Sequence, residues 1–200
     1  MKTRFVKTLA LLSTVFAISA ASAAFAIQPA MPDKDDPGIF MLYATDAAQQ
    51  CYNAAQTGAD LKFGLEHCNV AVIDPLTNYR AQTFVNRGII RYDMGDGGGA
   101  LSDFNIALTN NPTLGDAYLN RALVLISQKE PEEALAAINQ GIALGATNLQ
   151  IAYYSRGEIE DDAGQYAAAY RDYRQALEIK PDYAPAQRQL ARFKVVPTAQ

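Results

Sequence analysis

This 200-residue chain has two cysteines and one histidine, and together these side chains could carry nucleophilic or redox chemistry. His67 directly precedes Cys68, and Cys51 lies earlier in the same region. A Cys–His nucleophile needs a free thiol beside the imidazole, and redox pairs commonly have a C-x-x-C spacing that this chain lacks. We therefore predict no catalytic residues. A redox or thiol-dependent factor that uses Cys51, Cys68 and His67 is the alternative.

Glycine and carboxylate clusters could bind phosphate or a metal ion, but their spacing argues against both. Residues 97–99 are three glycines, yet no Lys-Ser or Lys-Thr follows them and no strand pattern precedes them. Asp93, Asp96 and Asp103 lack the glycine and the closing glutamate of a calcium loop. We predict that the chain binds no metal ion and no cofactor, and that it is not an enzyme.

Residues 1–26 have the pattern of a secretory signal peptide. Lys2, Arg4 and Lys7 form a basic start, residues 9–20 are apolar, and small residues follow them. The predicted cleavage site lies at the end of this segment, with a competing site three residues earlier. No cysteine stands where a lipid anchor would attach. We therefore expect a periplasmic or secreted protein with no stable membrane anchor after cleavage.

The charge balance is acidic and argues against one class of partner. The chain has 17 basic residues (Lys and Arg) and 21 acidic residues (Asp and Glu). Cleavage would remove three basic residues and no acidic ones, so the net charge would become 14 − 21, or −7. An acidic surface without clustered Lys or Arg repels phosphate backbones. We predict no nucleic-acid partner.

A pattern that occurs three times organises the second half of the chain. Five positions recur with separations of twelve, four, three and five residues, and the unit length is 34 and then 35 residues (122 − 88 and 157 − 122). The positions are Gly88, Ala100, Phe104, Ala107 and Pro112, then Ala122, Ala134, Ile138, Gly141 and Ala146, then Gly157, Ala169, Tyr173, Ala176 and Pro181. Such a period predicts a repeat protein.

The recurring positions resemble those of the tetratricopeptide repeat, a unit of two antiparallel helices. The resemblance covers residues 81–182, as repeats of approximately 81–114, 115–149 and 150–183, and it extends to small exported members of this family in Gram-negative bacteria. It implies an all-α fold: a right-handed α-solenoid of antiparallel helix hairpins with a C-terminal capping helix. It also implies a non-catalytic scaffold or adaptor that binds a protein or a peptide.

Local composition assigns the segments that flank the repeats. Residues 27–44 begin with many prolines and aspartates and predict an extended leader. Residues 45–76 read as a degenerate helical hairpin with a glycine turn. Residues 184–194 are amphipathic and predict the capping helix, and residues 195–200 predict a frayed tail.

The small residues of the pattern have a packing role. Only a small residue lets two helix backbones approach closely, and Gly88 and Ala100 are such a pair. Phe104 or Tyr173 would then fill the space toward the next unit, and Pro112 would end the second helix so that the chain can reverse. No hairpin buries its apolar face by itself, so the units stabilise one another.

The resemblance also predicts how the two cysteines pair. If residues 45–76 are a decayed repeat, Cys51 takes its seventh place and Cys68 its twenty-fourth place. These two places lie close together across the hairpin in the tetratricopeptide family. The resemblance therefore implies a Cys51–Cys68 disulfide, in a compartment that tolerates such bonds.

Charged residues also recur at repeat spacing. Arg87, Arg121 and Arg156 occupy one place in each unit, and Asp103 and Asp172 follow the first and third of them by sixteen residues. This joint recurrence predicts an Arg–Asp pair that bridges the two helices of a unit. The alternative is that the arginines form a ladder of ligand-binding groups.

The resemblance also implies a binding surface on the first helix of each repeat, because the family holds peptides in a concave groove there. Carried over place by place, the groove residues are Val85, Ile89, Tyr92, Leu119, Leu123, Ile126 and Tyr154. The lysines of the family's carboxylate clamp are replaced by Val85 and Ile151, so recognition of a chaperone tail is not implied. The leader or the tail could fill the groove instead, and self-association as a homo-oligomer is a further hypothesis.

Overall fold

Nine helices and one two-stranded sheet make up the described part of this computed structural model, which is residues 3–7, 46–74 and 79–197. The all-α class predicted from the repeats is confirmed, and the small sheet is an addition to it. The chain divides into two compact units, Ser19–Thr147 and a second unit of Asn148–Gln200 with Met1–Ile18.

Six helices of the unit Ser19–Thr147 pair in chain order into three hairpins. Their bounds are α1 Asp46–Thr57, α2 Leu61–Ala71, α3 Arg80–Asp93, α4 Gly97–Asn110, α5 Gly115–Ser127 and α6 Pro131–Ala143. Each helix packs most extensively on its hairpin partner, and neighbouring hairpins pack through α2 on α3 and α4 on α5. One buried apolar cluster extends from Cys51 through Phe104 to Val124.

Left-handed backbone separates the two helices of a repeat. Gly95, between α3 and α4, has a φ of 85°, and Lys129 has a φ of 64° at the corresponding place between α5 and α6. That conformation costs a residue with a side chain about 1–2 kcal/mol. Asp96 then caps α4, because its Oδ1 accepts a hydrogen bond from the backbone N–H of Gly99 at 2.8 Å. The three glycines are therefore the first turn of a helix.

The close approach of α3 and α4 depends on Gly88. A Cβ atom there would lie 2.5 Å from Cε1 of Phe104, so the ring occupies the space that a side chain would need. Phe104 is 1% exposed and Ala100 is fully buried. Asn111 precedes Pro112 and has extended backbone with a φ of −145°, so α4 ends there.

The second unit repeats this arrangement. Its elements are β1 Thr3–Lys7, α7 Leu149–Asp162, α8 Tyr166–Ile179, α9 Ala184–Leu190 and β2 Phe193–Pro197. A Cβ atom at Gly157 of α7 would lie 2.8 Å from Cε1 of Tyr173 of α8, and Tyr173 is fully buried. Five alanines at repeat positions are at most 1% exposed, and they are Ala107, Ala122, Ala134, Ala169 and Ala176.

The capping helix was predicted over residues 184–194, and its predicted end was wrong. The frayed tail predicted over residues 195–200 was wrong for residues 195–197. The helix ends at Leu190, and Phe193–Pro197 form β2, which pairs antiparallel with β1 from Lys7↔Phe193 to Thr3↔Pro197. Two adjacent valines favour extended backbone, and the second of them precedes a proline, which disfavours helix. Phe193 is buried and its ring lies 5.8 Å from that of Tyr170, which anchors the start of the strand.

The predicted leader over residues 27–44 lies outside the described residues, as does the predicted signal peptide apart from the strand Thr3–Lys7. No helix in the described part of the chain is long and apolar enough to cross a membrane.

A disulfide joins Cys51 of α1 to Cys68 of α2, and both residues are fully buried. The two helices lie close together beside this bond, because a Cβ atom at Gly64 would collide with the side chain of Ala54. The bond therefore fastens a hairpin whose core residues are small. The chain has two cysteines, and both are in this bond.

Reduction of this disulfide should lower the free energy of unfolding by about 3 kcal/mol, since the bond closes a loop between residues 17 positions apart. Urea unfolding of the full chain with and without a phosphine reductant measures the change. The double variant Cys51→Ala/Cys68→Ala is the control and should not respond to the reductant. Two titratable thiols in the native protein would contradict the bond and favour the redox alternative.

Candidate functional site

Three of the seven predicted groove residues are part of the core, so their assignment to an open surface is corrected. Val85 is 0% exposed and Ile89 is 3% exposed, and both belong to the apolar cluster that includes Cys51 of α1. Leu119 is 2% exposed and lies against the backbone of Gly141, where a Cβ atom would overlap with its side chain. These side chains stabilise the fold and are not available to a ligand.

Three other predicted groove residues of the same unit keep part of their surface exposed. Tyr92 lies near the end of α3, and Leu123 and Ile126 lie three residues apart on α5. Residues with this spacing share one face of a helix. Val124 and Leu125 between them are buried, whereas Leu123 and Ile126 are half-buried.

Tyr154, the seventh predicted residue, is part of a half-buried cluster in the second unit. Its hydroxyl donates a hydrogen bond of 2.6 Å to Oε1 of Glu158, one turn later on α7. The ring centroid of Tyr154 lies 5.6 Å from that of Tyr183, edge to face, and 5.8 Å from that of Tyr173. The cluster therefore combines aromatic faces with a carboxylate.

The electrostatics of this cluster disfavour the charged form of its carboxylate. Burial raises the pKa of Glu158, and the negative charges of Asp162 and Asp161 raise it further, whereas the hydrogen bond from Tyr154 lowers it. Burial also raises the pKa of Tyr183 to about 12. The tyrosines are thus neutral at physiological pH, and Glu158 lies among charges of its own sign.

The predicted Arg–Asp pairs are confirmed in both repeats that have the aspartate. Nε and Nη2 of Arg87 donate to the two carboxylate oxygens of Asp103 at 2.9 and 2.7 Å. Arg156 makes the same two bonds to Asp172, at 2.6 and 3.0 Å. Each pair joins the two helices of its hairpin. The arginines of these two repeats are therefore architectural.

Sequence reasoning missed further contacts around these pairs. Arg91, one turn after Arg87, also binds Asp103, with 2.9 Å between Nη1 and Oδ2. Each repeated arginine also stacks on the aromatic residue three positions before it, with distances of 5.1, 5.3 and 5.2 Å to the ring centroids. The recurring aromatic positions Phe84, Tyr118 and Tyr153 could have revealed this stacking, because residues three apart meet on a helix.

Arg121 has no equivalent aspartate, because Ala137 stands sixteen residues later. Its Nη1 donates to Oδ1 of Asn105 at 3.3 Å, and its Nε is buried without a hydrogen-bond partner. The middle repeat therefore lacks the ion pair of the other two.

The remaining side chains that could take part in chemistry lie in structural positions. The ring of His67 lies 4.2 Å from that of Phe63 on the same helix, and its neighbour Cys68 is in the disulfide. In residues 46–74 and 79–197, no group of three or more His, Cys, Asp or Glu side chains could hold a metal ion.

Comparison with known proteins identifies the repeats. A family model described as tetratricopeptide repeat matches residues 115–145 and 151–183. These two segments of the chain are similar to tetratricopeptide repeats. Similar solved structures of this fold include MamA, with 23% identity and a TM-score of 0.59 over 69% of this chain and 79% of that chain. The first TPR of Spaghetti (RPAP3) bound to the HSP90 peptide SRMEEVD has 22% identity and a TM-score of 0.53, over 56% of this chain and 87% of that chain.

One curated relative is similar in sequence. It is the DnaJ homolog subfamily C member 7 homolog of Schizosaccharomyces pombe (strain 972 / ATCC 24843), which is 29% identical over 86 residues. The match spans 43% of this chain and 18% of the relative. These similarities support the tetratricopeptide fold, and they do not assign an activity to the whole protein.

Asp172→Asn should lower the free energy of unfolding by about 2 kcal/mol, because it removes the carboxylate that Arg156 binds across the hairpin. Thermal and urea unfolding measure the loss. Glu178→Gln is the matched control on the same helix. Glu178 forms an exposed pair of 3.5 Å with Arg174, and such pairs contribute less than about 0.5 kcal/mol. Equal stabilities of the two variants would contradict an architectural role for Asp172.

Glu158→Gln should stabilise the protein more at pH 7 than at pH 4. The folded-state pKa of Glu158 lies above its ordinary value of 4.5, so its favourable contribution is present below that value and is lost as the pH rises through the folded pKa. Glutamine has no charge to bury and still accepts the hydrogen bond from Tyr154. Urea unfolding at both pH values measures the difference, with the exposed Glu133→Gln as the control. A constant difference between the variant and the parent at both pH values would count against the shift.

Proposed function

We propose that this chain is an exported, non-catalytic interaction protein that holds a peptide or a partner domain on the first helices of its repeats. The observation that carries the proposal is that Leu123 and Ile126, on one apolar face of α5, are half-buried rather than buried. Apolar side chains that stay accessible at helical spacing are typical of surfaces that dock a partner.

The fold supports this role. Tetratricopeptide repeats are an interaction architecture, and a solved neighbour with this fold is named for its bound HSP90 peptide, SRMEEVD. That peptide carries three acidic side chains, whereas the cluster around Glu158 in this chain is itself acidic. The partner proposed here therefore differs in charge from the peptide of that neighbour.

Export is the second part of the proposal. It is supported by the basic start, the apolar run and the small residues of the first 26 positions, and by a buried disulfide that suits an oxidising compartment. Cleavage would also remove β1, so the exported form would have β2 without this partner strand. The periplasm is the location proposed. The pairing of both cysteines also favours a binding role over the redox alternative.

Site-specific photocrosslinking in the producing cell tests both parts. A photoreactive residue at Leu123 should capture a partner protein, whereas the same residue at Thr109, exposed on α4, should not. Mass spectrometry of the product identifies the partner and reports whether the captured chain begins at Ile27.

Three results would contradict the proposal. Capture with equal yield at both positions would argue against a binding face on α5. Products that contain two copies of this chain would favour self-association instead. Recovery of chains that all retain residues 1–26 would argue against export by signal cleavage.

A further inference from the structure

An acidic and aromatic cluster on α7 borders the buried core around Tyr173, against which Tyr154 and Tyr183 pack. Tyr154, Glu158 and Asp162 are spaced by four residues, so they share one face of the helix. Tyr183 precedes α9 and lies edge-on against Tyr154. All four residues belong to one compact unit. None of them is a recurring residue of the repeat pattern.

No ion pair among the described residues includes either carboxylate of this cluster, although the charge of Arg188 acts on Tyr183. Arg156–Asp172 and Arg174–Glu178 are ion pairs on α7 and α8, and neither Glu158 nor Asp162 belongs to them. The side-chain charges that act on Glu158 are negative. By contrast, two arginines act on the carboxyl group of Glu160.

The position of the charges on the helix adds to their cost. The last turn of α7 contains no basic residue and ends with Asp161 and Asp162. Positive charge is favoured at the C-terminal end of a helix and negative charge is disfavoured there. A bound cation would therefore be attracted both by the carboxylates and by the helix end.

A buried hydroxyl is an independent indication that the cluster has a ligand. Tyr173 is fully buried, and its hydroxyl has no hydrogen-bond partner. Its ring lies 5.8 Å from that of Tyr154, and the charges that act on it include those of Asp161 and Glu158. A buried polar group without a partner costs free energy, which a donor or acceptor on a ligand would recover.

From this arrangement we infer that Tyr154, Glu158, Asp162 and Tyr183 bind the cationic side chain of an arginine or a lysine in a partner peptide. The inference rests on the proposed function and specifies the chemistry of the partner. The carboxylates offer charge-assisted hydrogen bonds, and the half-buried tyrosine rings offer faces for a cation. Arginine fits better than lysine, because its planar guanidinium can stack on a ring while it donates to a carboxylate.

A divalent metal ion is the competing ligand for an acidic site. Metal sites need several oxygen ligands that converge on one point. No group of at least three acidic, His or Cys side chains in the described residues meets that requirement. The aromatic partners of Glu158 also favour an organic cation over a bare ion.

Titration with defined peptides tests the inference. The probe is N-acetyl-Leu-Arg-Leu-amide, and its matched control replaces arginine with citrulline, which has nearly the same shape and no charge. We expect the arginine peptide to shift the ring NMR signals of Tyr154 and Tyr183 in a saturable way, and to bind at least about tenfold more tightly than the citrulline peptide. The lysine peptide should fall between them.

Variants of the full chain locate the site. Glu158→Gln should weaken binding of the arginine peptide by about tenfold, and Asp162→Asn, an exposed change at the helix end, by about threefold. Glu133→Gln removes the same charge from an exposed position on α6 and should leave the affinity unchanged. Circular dichroism checks that each variant keeps its helices.

Equal affinity for the arginine and citrulline peptides would overturn the inference, as would unchanged affinity in both Glu158→Gln and Asp162→Asn. Stronger shifts of the same tyrosine signals by Mg²⁺ or Ca²⁺ would instead assign the cluster to a metal ion. The crosslink at Leu123 is independent of these titrations. A partner captured there by a chain that does not bind arginine would leave the proposed function standing without this inference.

Discussion

The packing of an aromatic ring against a glycine backbone is the contact on which two of the hairpins depend. Phe104 occupies the space beside Gly88, and Tyr173 occupies the space beside Gly157. Any side chain at either glycine would push the helices apart. The bidentate pairs between arginine and aspartate need the same close approach, because their nitrogen–oxygen distances are at most 3.0 Å. The core and the polar bridge of these hairpins are therefore set by one geometric constraint.

In the middle repeat the two helices also approach closely, but the glycine and the large side chain have exchanged helices. Its glycine is Gly141 on the second helix, and the large side chain against it is Leu119 on the first helix. This repeat also lacks the aspartate, the closing proline and the glycine turn, which is Lys129 here. A different contact closes it: the carboxylate of Asp116 accepts hydrogen bonds from the backbone N–H and the hydroxyl of Thr147, at 2.8 and 2.9 Å. These bonds tie the start of α5 to the chain after α6, where the proline would otherwise end the repeat.

The helices, the buried small residues and the Arg–Asp pairs could be predicted from the sequence because the residues that form them recur at a fixed spacing. The accessible surface could not, because exposure depends on what the neighbouring hairpin contributes. Val85 occupies a repeat position that lines the groove in the family, yet here it belongs to the buried apolar cluster that includes Cys51 of the preceding hairpin. The strand Phe193–Pro197 was missed for another reason. Its signal is two valines and a proline at the end of an amphipathic stretch, and its partner strand lies almost the whole chain away.

Carboxylates have two opposite roles in this chain. Asp103 is fully buried and binds two arginines, so its charge is compensated within the fold and helps to define the hairpin. Glu158 is half-buried, its pKa is raised, and the charges around it have its own sign, so the fold bears the cost of that charge. If stability were the only constraint at this position, a glutamine would keep the hydrogen bond from Tyr154 without that cost. A cation supplied by a partner removes the same cost on binding. The uncompensated charge of Glu158 therefore both destabilises the free chain and attracts the cation. A change that lowers this cost should stabilise the free chain and weaken its affinity for the cation.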